Sequence, residues 1–131
     1  MLFRSQDEPA THGEYARAIL ESLALRYRQV LEDLEALSHR KIEVIHIVGG
    51  GTQNELLNQM TADACNRPVI TGPVEATAIG NMLVTAIALG ELKDLAQGRE
   101  LVRASFDVKR FEPKNTAAWD DAYSKYRTLP A

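Results

Sequence analysis

The residues best suited to chemistry are Gly49-Gly50-Gly51 and the polar Thr52-Gln53-Asn54 after them, at the end of the apolar run 42–48. Glycine is entropically costly at a strand end. Either the turn requires it sterically or something must come close to the main chain. A phosphate-cradling Walker loop needs Gly-Lys-Ser/Thr at its end, and Thr52-Gln53-Asn54 supplies no lysine. A dinucleotide G-x-G-x-x-G is met at Gly49 and Gly51, but Asn54 stands in its last position and no strand–helix–strand unit precedes it. Two readings stay open. One is a tight strand-to-helix turn with Asn54 as the helix N-cap. The other is a nucleotide site, in which bare backbone approaches a flat purine or its ribose and the Asn54 amide hydrogen-bonds it. One asparagine can serve both.

The remaining reactive side chains point to structure. His12, His39 and His46 are scattered without a partner at metal-ligand spacing, and His46 reads as a core or edge residue of its strand. Cys65 reads as a small buried residue rather than a nucleophile. Asp63 and Glu75 are candidate acids, with Glu75 better suited to support a helix start. Glu21-Ser22 suit structural or domain-contact roles, and Asp120-Asp121 a solvated face. Trp119, Tyr123 and Tyr126 suit a packing face rather than a stacking platform. No residue is assigned a catalytic or metal-binding role.

The elements that must position the glycines follow from periodicity. Ile19, Leu23, Tyr27, Val30, Leu34 and Leu37 recur at three or four, predicting a helix over 14–37, about 36 Å long at 1.5 Å per residue. The β-branched run 42–48 predicts a largely buried, parallel strand. Leu56, Leu57, Met60 and Ala64 predict a helix over 54–65, and Val69-Ile70 a second short strand. The segment 74–92 predicts a helix apolar nearly all round and therefore buried on most sides. Gly80 within it suggests close backbone packing, and Gly90 a C-terminal cap. A weaker helix is expected over about 92–102, a loop over 106–115, and a last short helix carrying Trp119, Ala122, Tyr123 and Tyr126. Residues 1–11, with Phe3, Pro9 and Thr11, read as a loop. The order is α/β, yet two strands are few and the third helix is too apolar for a surface, so the sequence reads as lacking neighbours.

Composition excludes several functions. With 131 residues, 45% hydrophobic and 25% charged, the sequence suits one globular domain rather than a disordered chain. A net charge of −3 offers no basic footprint for nucleic acid. A single cysteine excludes an internal disulfide and fits a reducing, cytoplasmic setting. No apolar run reaches membrane-spanning length, and the polar start does not suit a signal peptide.

The segment "HIVGGGTQNELLNQMTADACNRPVITGPVEATAIGNMLVTAIALGEL", residues 46–92, resembles the C-terminal part of the FGGY carbohydrate kinases. The matching features are Gly49-Gly50-Gly51, Asn54, Gln59 and Glu75-Ala76-Thr77-Ala78-Ile79-Gly80. His46-Ile47-Val48, Gln53-Asn54, the "LLNQ" that follows and "EYARAILESLALRY" are most similar to the rhamnulokinase subfamily. The resemblance covers about residues 9–127, with its specific core at 42–92. It implies an actin-like, ribonuclease H-like ATPase fold, of which 1–131 would be part of the C-terminal domain without its first strands. It also implies ATP with Mg²⁺ and, in the complete enzyme, transfer of the γ-phosphoryl group to L-rhamnulose. By position, Gly50 and Gly51 would approach the adenine and ribose, Asn54 would hydrogen-bond them, and Gly49 would shape the turn. The helix with Gly80 would pack behind the site. The phosphate-gripping loop, the sugar site and the catalytic aspartate lie upstream in that family. The implied partners are therefore ATP or ADP and the missing N-terminal kinase half, and the isolated chain would be inactive. An interaction fragment, pairing with itself as a homodimer, is the alternative, as is another FGGY kinase such as a fuculokinase or xylulokinase.

Overall fold

The computed structural model describes residues 9–128; Phe3 and the rest of the expected loop over 1–8 lie outside the described residues. The elements are α1 (His12–Ser38), β1 (Ile45–Ile47), a 3₁₀ turn (Gly49–Gln53), α2 (Glu55–Cys65), β2 (Val69–Thr71), α3 (Ala76–Ala88), α4 (Leu95–Ser105), β3 (Lys109–Phe111) and α5 (Thr116–Tyr126). The three strands form one sheet in the order β1-β2-β3. Ile45 donates its N–H to the Pro68 carbonyl at 2.9 Å, and Gly72 donates to the Ile47 carbonyl at 2.7 Å. The register of the two strands thus rises together, and β1 and β2 are the expected parallel pair. The segment expected as a loop over 106–115 contains β3. It was illegible because only three residues pair, and two of them, Lys109 and Arg110, are charged and exposed.

The chain divides into two compact units: residues up to Ile45, Glu55–Val69 and Phe111 onward in the first, and His46–Asn54 with Ile70–Arg110 in the second. In the first unit α1 starts with a capping box. The Thr11 hydroxyl accepts from the Glu14 N–H, and the Glu14 carboxylate accepts from the Thr11 and Ala10 N–H groups. The Thr-x-x-Glu spacing was the available signal for starting this helix at His12 rather than Glu14. The core of the unit joins Ala24 of α1 to Met60 and Ala64 of α2, with Leu20, Leu57 and Trp119 packed around it. Two alanines at the contact let the helix axes come close.

Arg28 ties the three helices of this unit together. Its guanidinium pairs with Glu32 at 3.1 Å and Asp120 at 2.6 Å and donates to the Ala64 carbonyl. It also lies 4.3 Å from the Tyr123 ring centroid. Asp120 is therefore an ion-pair partner and not simply part of a solvated face. Trp119 and Tyr123 pack as expected. The Tyr123 hydroxyl donates to Glu32 at 2.9 Å.

The stripe that predicted α1 is not the face that packs. Ile19 is 60% exposed, Leu34 50% and Leu37 80%, whereas the buried positions are Ala24, Leu25 and Leu31. The helix is correctly located by periodicity, but its contact with α2 uses the neighbouring face.

In the second unit α3 packs on α4. Gly98 is buried, and an added Cβ there would meet Leu83 Cδ2 at 3.4 Å. α4 is capped by Asp94, whose carboxylate accepts from the Gln97 N–H at 2.9 Å. α3 ends as expected at Gly90, at φ +80°. The Gly90 N–H reaches the Ile87 carbonyl, and the Glu91 N–H the Ala86 carbonyl, the paired bonds of a Schellman motif. Two expectations for α3 fail. Only Ile79 is buried, while Met82 is 63% exposed, and a Cβ on Gly80 would meet nothing within 4 Å. An all-round apolar surface predicts burial, but among the described residues α4 is the helix that packs against it. No helix of the described residues is long and apolar enough to cross a membrane.

Candidate functional site

The candidate site lies wholly in the second unit, where β1 ends. Val48 is extended, and Gly49 then takes φ +78°, a left-handed conformation that penalises any Cβ. The Gly49 N–H donates to the Pro73 carbonyl at 3.3 Å, and its own carbonyl accepts from the Thr52 hydroxyl at 2.8 Å. Thr52 is buried while Gly50, Gly51, Gln53 and Asn54 are exposed. The Asn54 N–H closes the turn on the Gly51 carbonyl at 3.3 Å, and Asn54 stands immediately before α2, where an N-cap belongs.

The three glycines therefore differ. Gly49 is required by its φ and shapes the turn. Gly50 has no positive φ, and a Cβ there would meet nothing within 4 Å. A Cβ on Gly51 would make an ordinary 3.5 Å contact with Ile47 Cγ2. Neither Gly50 nor Gly51 is demanded by the packing of this unit, yet together they present a strip of bare, exposed backbone.

A fourth glycine matters that periodicity did not single out. A Cβ on Gly72 would lie 2.9 Å from Val48 Cγ1. Gly72 lets the end of β2 approach β1 just before the turn. Its place directly after a short β-branched strand and before Pro73 was the available signal.

The other candidates are accounted for differently. Asp63 is buried in the first unit, and its Oδ1 accepts from the Lys114 N–H at 2.7 Å and the Gln59 amide at 2.9 Å. Gln59 also donates to the Glu112 carbonyl at 2.8 Å. The pair fastens the segment after β3 to α2, which is a structural role for this candidate acid. Glu75 is exposed at the N-cap position of α3 and makes no side-chain cap bond. His46 is exposed on β1, at the edge of the described sheet. Cys65 is buried, and burial pushes its thiol up to about 11. Glu21 pairs with Arg17, and the Ser22 hydroxyl donates to the Ala18 carbonyl. Among the described residues, no group of three or more His, Cys, Asp or Glu could hold a metal ion. The apolar recess of about 420 Å³ between α3 and α4, lined in part by Leu83, Ala86, Leu92, Val102 and Phe106, has no contribution from the glycine turn.

Comparison with known proteins gives the chain's relatives. The model of the C-terminal domain of the FGGY family of carbohydrate kinases matches residues 1–89. A rhamnulokinase of Bacteroides thetaiotaomicron is 52% identical over 122 residues, covering 93% of this chain and 25% of that protein. A rhamnulokinase of Bacillus subtilis is 46% identical over 110 residues, covering 84% of this chain and 23% of that protein. Among solved structures, a xylulose kinase from Rhodospirillum rubrum superposes with a TM-score of 0.73 at 26% identity, over 95% of this chain and 25% of that one. The chain thus spans about a quarter of the length of the curated relatives it matches.

Proposed function

The chain belongs to the FGGY family of carbohydrate kinases, and from that premise we propose that its 3₁₀ turn is the adenosine-facing part of an ATP site in a rhamnulokinase-type sugar kinase. The observation that carries this reading is Gly50. It is glycine without any steric need in its own unit, and its exposed backbone offers a flat ligand an approach that a side chain would block. Gly51 continues the strip, and the Asn54 amide supplies hydrogen bonds to a purine or ribose. Gly49, Thr52 and the Pro73 carbonyl hold the turn in shape. This division of labour orients the nucleoside before reaction, and phosphoryl transfer depends chiefly on positioning and charge stabilisation.

Bound ATP supplies the transferable phosphoryl group. Mg²⁺ needs only one or two carboxylates beside water and the nucleotide phosphates, and in a complete kinase it would be held with those phosphates, the base and the sugar pocket coming from elsewhere in the enzyme. In that complete enzyme the acceptor is L-rhamnulose, a reading supported by the rhamnulokinase relatives. A different FGGY sugar acceptor, such as xylulose, is the nearest alternative. The isolated chain would bind nucleotide without phosphorylating sugar, in the cytoplasm.

Calorimetry with ADP and ATP tests the site. Weak binding that Gly50→Val abolishes, with an unchanged melting curve, is expected. Binding that survives Gly50→Val would place the nucleotide away from this turn, and no binding even with a complementary N-terminal kinase portion present would leave the non-catalytic interaction reading.

A further inference from the structure

The glycine turn is a 3₁₀ helix, Gly49–Gln53. With three residues per turn, side chains at i and i+3 lie over one another, so Gly50 and Gln53 share a face. The other two faces point into the second unit. Thr52 is buried, and its hydroxyl donates to the Gly49 carbonyl at 2.8 Å. A Cβ on Gly51 would meet Ile47 Cγ2 at 3.5 Å. The face of Gly50 and Gln53 is the open one: a Cβ at position 50 would meet nothing within 4 Å, and Gln53 is exposed. Gln53 is thus the side chain of the turn that stands where Gly50 leaves the backbone bare. An exposed glutamine is ordinarily just solvated. What sets this one apart is its register with Gly50.

Chemistry says what Gln53 can hold there. The two positions stand about 6 Å apart along the helix axis, at 2.0 Å per residue, a spacing that a base on Gly50 and the ribose joined to it can bridge. The carboxamide offers one acceptor oxygen and a nitrogen with two donors. Among the described residues the Gln53 side chain makes no hydrogen bond, so nothing in the turn fixes which way the amide faces. A base edge presents donors and acceptors at fixed positions, and an amide free to flip reads them poorly. A ribose hydroxyl both donates and accepts and rotates to suit its partner, so either orientation of the amide can bond it.

We propose that Gln53 is a specificity-determining residue of the nucleotide site, its carboxamide hydrogen-bonding the ribose hydroxyls of a nucleotide whose base lies over Gly50. In this role Gln53 presupposes the adenosine-facing reading of the turn. It adds the face of the turn that the nucleoside occupies, and a selection for the sugar of the nucleotide rather than for the edge of its base.

Calorimetry compares ADP with 2′,3′-dideoxy-ADP on the 131-residue chain, unaltered and as Gln53→Met, alone and with a complementary N-terminal kinase portion present. Methionine is a flexible, unbranched side chain without the carboxamide, and at an exposed position it should leave the melting temperature unmoved. Gln53→Met should weaken ADP about two- to tenfold, the net worth of one hydrogen bond, and leave dideoxy-ADP unchanged. Unchanged ADP binding would overturn the proposal. So would an equal loss for both ligands, which would put the contact on the base or the phosphates. Gly50→Val separates this inference from the reading beneath it. ADP binding that Gly50→Val abolishes and Gln53→Met leaves intact removes Gln53 alone. ADP binding that neither variant alters, or none at all, removes the turn as a nucleotide site and the role of Gln53 with it.

Discussion

Gly72 and Val48 stand closer than any side chain at position 72 would allow: an added Cβ would lie 2.9 Å from Val48 Cγ1. The same glycine donates to the Ile47 carbonyl at 2.7 Å, so it cannot withdraw without releasing the end of β1. Valine is stiff about χ1, and its Cβ is also close at 3.9 Å. Gly72→Ala should cost about 1–3 kcal/mol in urea unfolding. Adding Val48→Ala should return most of that loss, a coupling read by a double-mutant cycle. Full stability of the single variant would contradict the packing described.

The glycines of the turn should respond oppositely. Gly50→Ala adds a methyl group where nothing lies within 4 Å, and should leave stability unchanged or raise it by about 0.4–1 kcal/mol by restricting the unfolded chain. Gly49→Ala, at φ +78°, should lose about 1–2 kcal/mol. Thermal melts of the two proteins decide the matter, and a tolerant position 49 beside a sensitive position 50 would reverse the assignment of turn and ligand roles.

Arg28 should resist conservative replacement. Its side chain is 20% exposed while serving Glu32, Asp120 and the Ala64 carbonyl. Lysine retains the charge but not the planar fork that meets several acceptors at once. Arg28→Lys should cost about 1–2 kcal/mol and Arg28→Ala about 2–3 kcal/mol, the difference reflecting lost charge-assisted bonds and packing over Tyr123. Denaturant midpoints that do not move for Arg28→Lys would show that the fork geometry is dispensable.

Acid should loosen the entry to β1. Glu35 accepts from the Ile42 N–H at 2.7 Å and pairs with Arg67 at 3.3 Å. The Ile42 N–H first, then the Arg67 guanidinium, hold its carboxyl below the ordinary value of 4.5. A depressed carboxylate contributes stability that is present above its unfolded value and lost as pH falls through the folded one. Stability should therefore decline below about pH 4.5, and Glu35→Gln should flatten that limb while leaving the alkaline limb alone. Melting temperatures between pH 3 and 7 supply the check, and an unchanged acid limb in the variant would exclude Glu35 as a source.

Local information determined much of this protein. Helical periodicity located α1, α2 and α5, β-branched runs located β1 and β2, and Gly90 marked the end of α3, because each rests on contacts or dihedrals within a few residues. The glycine turn was equally legible as a place where backbone matters, and residues 46–92 carried the family. Tertiary structure decided what spacing cannot express. It separated Gly49, required by its φ, from Gly50, which its own unit does not require. It paired β3, whose charged residues carry no strand pattern, and turned Asp63 from a candidate acid into an anchor for Lys114. It also showed that the apolar stripe of α1 and the all-round apolar surface of α3 are not the surfaces this chain buries. Periodicity reports that a face is apolar, whereas which neighbour covers it depends on the rest of the fold.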